Sequence, residues 1–288
     1  MTDQIAPDLT IPPMPGPTLH DFRAARERVA DVVSVTPLEH SSYLSGLLGS
    51  PTWFKAESLQ KTGSYKIRGA YNRLARLSED ERARGVVAAS AGNHAQGVAL
   101  AARELGIKAT IFMPIGVALP KLQATRGYGA DVVLHGHVVD ETLHAAAEFA
   151  ERTGAVLIPP FDHPDVVAGQ GTIALEILDQ LPDVANVIVP IGGGGLASGI
   201  ASAFAQLAPS IGRQVRVVGV QASNAAPYPV SLAAGEIRRN DRLSGSICDA
   251  IITPQPGDIT FPIMSRLCGP GMAVSEDEAL RAMALAFQ

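Results

Sequence analysis

Three short segments carry residues whose type and spacing suit chemistry. The first, KTGSYKIRGA, runs from Lys61 to Ala70. Ile67, Ala70, Tyr71 and Leu74 repeat with helical spacing, and Ser64 stands where an N-cap serine would stand. With Ser64 as cap, Lys66 falls in the first helical turn, at the positive end of the helix dipole. A cation there is disfavoured by roughly 0.3–1 kcal/mol. Arg68, two residues on, adds to the positive field. Such a field lowers an ammonium pKa, and a lysine tuned in this way is an amine nucleophile suited to Schiff-base chemistry. The plain alternative is a lysine that snorkels to solvent. Lys61 is a weaker candidate, because it lies outside the helix and is not held by it.

The second segment, PIGGGGLASG, spans Pro190 to Gly199 and places four consecutive glycines between an apolar strand and a helix. Glycine lets an anion approach the backbone amides, and the helix start adds favourable partial charge, so a phosphate site is the natural reading. A flexible turn is the alternative. Gly192, Gly194 and Ala197 also fit the dinucleotide pattern G-x-G-x-x-A, although four glycines in a row satisfy several registers by chance. A dinucleotide site wants an acid at the end of the next strand, and Gln221 follows Val215–Val220. No Lys-Ser/Thr pair follows the glycines, so the Walker A pattern is absent. A small phosphorylated cofactor needs only the loop. The third segment, ASAGNHAQG, spans Ala89 to Gly97. Ser90 and Asn93 offer hydrogen bonds, and a helix start offers amides to a carboxylate. Plain capping by Ser90 or Asn93 is the alternative, and His94 alone reads as a satisfied surface or core histidine.

These segments need elements to hold them, and the chain supplies an alternation. Helices are expected at Leu19–Val33, from Ser64, at Asn93–Leu105, Pro120–Arg126, Asp140–Arg152, Val166–Leu181 and Leu196–Leu207. Strands are expected at Trp53–Ala56, Val86–Ala89, Ala109–Met113, Val132–Leu134, Ala155–Ile158, Val187–Pro190 and Val215–Val220. Alternation of this kind predicts an α/β fold with largely parallel sheets, whose ligands lie at the C-terminal ends of the strands. The 288 residues suffice for about two domains, and a hydrophobic fraction of 47% against 18% charged residues supports a large core. A net charge of −5 without a basic patch argues against a nucleic-acid partner. Cys248 and Cys268 are too far apart for a CxxC pair, so neither a zinc site nor a disulfide framework is expected. The first eighteen residues are polar and proline-rich, without a signal pattern, and read as a loose N-terminal arm. No apolar run approaches the ~18 residues needed to cross a membrane. A reducing, cytoplasmic compartment is the expectation.

SYKIRGA (Ser64–Ala70), SAGNHAQG (Ser90–Gly97), AGQGT (Ala168–Thr172) and GGGGL (Gly192–Leu196), in that order, resemble the four signature segments of the threonine/serine dehydratase and serine racemase family. These are fold-type II pyridoxal phosphate enzymes, built like the tryptophan synthase β chain from two three-layer α/β domains. The likeness runs from about Leu19 to the end of the chain. It implies that Lys66 carries pyridoxal 5'-phosphate and that Tyr65 packs beside its ring. Asn93 would contact the cofactor's 3′-oxygen. Gly192, Gly193, Gly194, Gly195 and the Leu196 backbone would hold the phosphate. Ser90, Ala91, Gly92, Asn93 and His94 would form the loop that receives the substrate carboxylate. The implied reaction is β-elimination from L-threonine or L-serine, yielding a 2-oxo acid and ammonia. The resemblance also implies a large domain of residues 1–80 and 161–288, an inserted small domain of residues 81–160, and a homodimer.

Departures from the family pattern shape the expectation. Similar racemases place a second serine where this chain has Ala91, and alanine cannot exchange a proton, which favours elimination over racemisation. Relatives that bind a divalent cation use carboxylates after the Val215–Val220 strand; QASNAAPYP, with Gln221 and Pro227, has none, so no metal is expected. Cys248-Asp249-Ala250 stands where relatives often have Ala-Asp-Gly, and Cys248 reads as a packing residue. The final ALRAMALAFQ resembles an unfinished amphipathic helix, and the family's following Glu-Pro and S-G-G-N segments are not in this sequence. A sheet with one unfilled place and weakened cofactor binding is the expectation if the chain ends there. Rival readings are a racemase-like enzyme or another hydroxy-amino-acid dehydratase, an inactive relative of the same fold, and a nucleotide-binding oxidoreductase.

Overall fold

The computed structural model describes residues 16–240 and 246–287. The N-terminal arm expected at the start of the chain lies outside the described residues as far as residue 15, as does the closing Gln288. The chain opens with α1 (Leu19–Val29), started by a capping box in which the Thr18 hydroxyl accepts from the Asp21 amide and Asp21 accepts in return. Then come β1 (Leu38–His40), α2 (Ser42–Leu48) and β2 (Trp53–Lys55), followed by α3 (Lys66–Ala75) and α4 (Glu79–Arg84). Next are β3 (Val86–Ala89), α5 (Asn93–Glu104), β4 (Ala109–Met113), α6 (Leu119–Gly127), β5 (Asp131–Leu134), α7 (Val139–Thr153) and β6 (Val156–Leu157). The rest comprises α8 (Pro164–Gln180), β7 (Asn186–Pro190), α9 (Gly195–Ile211), β8 (Arg216–Ala222), α10 (Pro227–Ala234), α11 (Thr260–Leu267), β9 (Met272–Val274) and α12 (Glu276–Ala286).

The expected α/β architecture with parallel sheets is present. A four-stranded parallel sheet has the order β5-β4-β3-β6, and a three-stranded parallel sheet has the order β7-β8-β9. β1 and β2 form a separate antiparallel pair. The first sheet is covered on both faces. Val86 and Ala88 point into a core shared with Val98, Ile111 and Met113, whereas Val87 and Ala89 point into one shared with Phe112 and Ala146. Strands buried on two sides read as unbroken apolar runs, and β3 is one. The second sheet belongs to a core built around Phe22, Ile173, Ile191, Phe204 and Met264.

α3 joins these regions. Its Ile67, Ala70 and Leu74 share the core of the four-stranded sheet, while its other side meets α8 at backbone distance. A Cβ on Gly169 would stand 2.5 Å from the Arg68 carbonyl oxygen, and one on Gly199 of α9 would stand 2.5 Å from the Val167 carbonyl oxygen. These glycines let α3, α8 and α9 pack at backbone contact, which gives the AGQGT segment a packing role. A fully buried Arg68 fastens the same junction. Its Nε and Nη2 donate to Glu57 at 2.9 and 2.8 Å, and its Nη1 and Nη2 to Glu176 at 2.6 and 3.0 Å. Lys55 Nζ completes the cluster, 2.6 Å from Glu176. Burial alone would lower the Arg68 pKa, but its hydrogen bonds to both carboxylates, and their charge, outweigh it and hold the guanidinium charged.

Candidate active site

Helix α3 begins at Lys66 rather than at a residue capped by Ser64. Tyr65 takes the cap position in right-handed helical conformation and makes no side-chain cap bond. Ser64 is extended, at φ −164°, and its hydroxyl is buried with no partner among the described residues. The turn before it is strained: Thr62 has φ +68°, and it is the one non-glycine residue with positive φ among those described. A β-branched residue in that region costs of order 1–3 kcal/mol, a cost that local structure tends to concentrate at functional sites.

Lys66 keeps some accessible surface, as a group facing a cleft does, yet protein surrounds it closely enough that burial pulls its pKa from 10.5 down to about 8. The depressed pKa expected from the sequence is present, but its cause differs. Arg68 points away into its own balanced ion cluster, so desolvation rather than a neighbouring cation discourages the ammonium. The Lys66 Nζ donates to the Pro160 carbonyl oxygen at 2.8 Å and lies 5.5 Å from the centre of the Tyr65 ring. Burial lifts the Tyr65 phenol to about 12, so it stays neutral.

Pro160 leads directly to the glycine loop. The ring of Phe161 fills the space where a Cβ on Gly193 would stand, and its own Cβ crowds the same position on Gly195 at 2.9 Å. Gly194 takes φ +103°, a conformation that favours glycine, and α9 starts immediately after it with no side-chain cap. The expected start at Leu196 is thus one residue late, and the helix runs beyond the expected Leu207 to Ile211. The amides of Gly192 through Ala197 donate to no acceptor among the described residues. The loop's carbonyls, in contrast, are fixed. Thr260 Oγ1 donates to Gly193 O at 2.6 Å, Ser198 Oγ to Gly194 O at 2.7 Å, and Gln221 Nε2 to Ile191 O and Gly192 O at 3.2 and 3.3 Å. Carbonyls tied back and amides left open are what a phosphate needs.

Gln221 lies within β8, which extends two residues beyond the expected Val220. Its carboxamide is committed to the glycine loop and to the Tyr228 amide. Asp162 accepts from the amides of Asp258, Ile259 and Thr260, fixing the start of α11 and with it Thr260. Pro160, Phe161, Asp162, Gln221 and Thr260 support the site without a motif in the sequence that marks them as supports. They lie far along the chain from the residues they serve, and only the Pro160-Phe161-Asp162 run after a strand gave a local hint.

Helix α5, which follows the Ser90–Gly92 segment, packs against the start of α3 at Lys66. A Cβ on Gly97 of α5 would stand 3.1 Å from the Lys66 carbonyl carbon. Ser90 does not cap α5: its hydroxyl accepts from the Gly92 amide at 3.1 Å, and the N-cap of α5 is Gly92, without a side-chain bond. The amides of Asn93, His94 and Ala95 donate to no acceptor among the described residues, which leaves an anion-sized set of donors at a helix start. The His94 ring turns inward, 4% exposed, with Nε2 2.9 Å from the Ile158 carbonyl oxygen. Burial first, and the nearby Lys66 charge second, push its pKa down to about 3, so the ring is a neutral core donor and only its backbone faces the loop. Cys248 is partly buried, and burial raises the Cys268 thiol to about 12, so Cys268 is inert.

An amine whose pKa burial lowers to about 8, glycine amides and a second helix start without acceptors among the described residues, and a buried Ser64 hydroxyl without a partner among them fit a small carbonyl-bearing phosphate compound. Comparison with known proteins agrees. Residues 29–288 match the family described as pyridoxal-phosphate dependent enzyme. The chain is 49% identical over 263 residues to an L-threonine ammonia-lyase of Thermotoga maritima, covering 91% of this chain and 64% of that protein. The crystal structure of a threonine deaminase from T.th. superposes with a TM-score of 0.87 at 41% identity, covering 94% of this chain and 87% of that one. Serine racemase from Dictyostelium discoideum superposes with a TM-score of 0.85 at 36% identity, covering 94% and 85%. The chain belongs to the pyridoxal-phosphate dependent enzyme family, with the fold-type II architecture of its threonine dehydratases and serine racemases.

Proposed function

We propose that this protein is a pyridoxal-phosphate-dependent ammonia-lyase that converts L-threonine to 2-oxobutanoate and L-serine to pyruvate, each with ammonia. When bound, the cofactor supplies an electron sink that makes the α-hydrogen of an amino acid acidic. The observation that carries the reading is the Lys66 amine, bonded to the Pro160 carbonyl beside the glycine loop, with burial lowering its pKa to about 8 and with the amides at the starts of α5 and α9 lacking acceptors among the described residues. Lys66 Nζ would hold the cofactor, and its free amine would take the α-proton of the amino acid. The amides of Gly192 to Leu196 would hold the cofactor's phosphate, and Asn93 and Tyr65 would hold its ring. Ser90, Ala91, Gly92, Asn93 and the His94 backbone receive the substrate carboxylate at the start of α5. Loss of the α-proton and the β-hydroxyl, the latter as water, leaves an enamine that water converts to the 2-oxo acid and ammonia. The Ala91 methyl has no exchangeable proton, so Ala91 cannot serve as a second base on the opposite face, which favours elimination over racemisation.

The four-stranded sheet lies wholly within residues 86–157 and the three-stranded sheet within 186–274, which supports an inserted small domain at residues 81–160 between the two parts of a large one. Closure of the small domain brings the Ser90 loop onto the substrate and excludes water. A cytoplasmic homodimer completes the proposal. No described helix is long and apolar enough to cross a membrane, and Leu47, Leu48 and Phe54 are large apolar side chains left exposed in this chain. The test is an assay of the purified chain with pyridoxal phosphate and either amino acid. Equimolar 2-oxo acid and ammonia, with no D-serine, is the expected result; D-serine as main product would replace elimination with racemisation.

A further inference from the structure

Two charged side chains link the Ser90–His94 loop to the glycine loop. Lys121 stands in the first turn of α6, and its Nζ donates to Asp249 Oδ2 at 2.9 Å. The lysine stem lies over Gly92, where a Cβ would stand 3.5 Å from its Cδ, 3.6 Å from Nζ and 3.7 Å from Cε. Gly92 is the N-cap of α5, whose first amides have no acceptor among the described residues. Asp249 opens the short helical turn Asp249–Ile251, and the far end of that turn touches the phosphate side: a Cβ on Gly192 would stand 3.3 Å from the Ile251 carbonyl oxygen. One ion pair therefore reaches from the carboxylate loop to the segment lying against the glycine loop. The pair is 38% and 68% exposed on its two sides, so it contributes little to stability. A cation in the first turn of α6 is also unfavourable for that helix. What the geometry does give is an ammonium held above Gly92, beside the open amides of α5.

We propose that Lys121 binds the substrate carboxylate, with Asp249 as the positioning residue that holds its ammonium over the start of α5. The neutral amides of Asn93 to Ala95 orient the carboxylate, and Lys121 adds the formal charge, so the site selects amino acids with a free α-carboxylate over their amides. This assignment rests on the cofactor reading above, because the carboxylate reaches this loop only when the amino acid is held at Lys66.

The test uses the cofactor-loaded full chain and its Lys121→Met and Lys121→Arg variants. The absorbance band of the lysine-bound cofactor is recorded first, and L-serine and L-serinamide are then titrated against it at low and moderate salt. All three proteins are expected to show the band. Lys121→Met should bind L-serine about 10- to 100-fold more weakly, bind L-serinamide within about twofold of the parent, and lose most of the salt dependence of L-serine binding. Lys121→Arg should restore most of the L-serine affinity. Equal weakening for both ligands in Lys121→Met would make Lys121 a structural residue and overturn the proposal, as would no weakening for either. Absence of the band from the parent would instead remove the cofactor reading, and this assignment with it. Should Lys121→Met lose its far-ultraviolet circular dichroism, Lys121→Gln carries the same comparison.

Discussion

Lys66 and His94 are neighbouring bases that the folded chain discourages from taking protons, and both leave a signature in stability against pH. Lys66 has a pKa of about 8 when folded, below its ordinary 10.5. The unfolded chain therefore binds more protons between these values, and the cost to folding is fully present below pH 8 and fades as pH rises to 10.5. Lys66→Met, which removes the buried amine, is expected to stabilise the cofactor-free protein by on the order of 2 kcal/mol at pH 7, with the gain vanishing by pH 10.5. Urea unfolding across that range reads it directly; a gain that does not shrink with pH would locate the cost in shape rather than charge. His94 has a folded pKa of about 3 against 6.5. Its stabilising contribution is present above pH 6.5 and is lost as pH falls below it, by up to about 1.4 kcal/mol per pH unit. His94→Gln, which keeps a donor for the Ile158 carbonyl, is expected to flatten that acid limb; an unchanged slope would assign it to other groups. At this scale the sequence named the lysine but misattributed its tuning. Desolvation depends on which residues close around the amine, and Pro160 and Gly97 do so from far along the chain.

Helices α3, α8 and α9 meet through glycines and one buried guanidinium, and their spacing determines where Lys66 and the glycine loop stand. Removing the Arg68 side chain leaves Glu57 and Glu176 short of a partner in a buried setting. Arg68→Met is expected to cost about 3–5 kcal/mol by equilibrium unfolding, and a loss under 1 kcal/mol would mean the acids are rescued by Lys55 and solvent. The glycine loop is tight in a different way. Gly193→Ala drives a methyl into the Phe161 ring, so the variant is expected to fold with a loss of about 1–3 kcal/mol and to bind cofactor at least tenfold more weakly. Retention of full cofactor affinity, measured by absorbance titration, would remove Gly193 from the phosphate site. The element pattern was legible wherever burial was complete: β3 and β4 agree to the residue because strands covered on both faces read as unbroken apolar runs. β1, α2, α4, α10, α11 and β9 escaped, since elements of three to eight residues give too few repeats to show a period. Ser64 fits the capping pattern in the sequence because a serine before an apolar repeat does so regardless of its backbone, and here the strained Thr62 turn delivers it extended.

Across the whole molecule, two parallel sheets and the helix between them bring segments from Lys66, Ser90 and Gly192 to one place. The four motifs made that assembly legible before any geometry, through their order. What they left out is the scaffold behind them: Asp162 fixing α11, Thr260 and Gln221 tying back the glycine carbonyls, and the Lys121–Asp249 pair spanning the loops. None has a local sequence pattern, because each is defined by a partner elsewhere in the chain. Cofactor present at a hundredfold excess over its dissociation constant should stabilise the whole fold by about 2.7 kcal/mol.

The most direct measurement is the absorbance spectrum of the purified chain with pyridoxal phosphate, recorded beside Lys66→Ala. A lysine-bound cofactor band in the parent and none in the variant is the expected result. A band of equal strength in both would mean that another amine carries the cofactor, and it would contradict the central role given to Lys66.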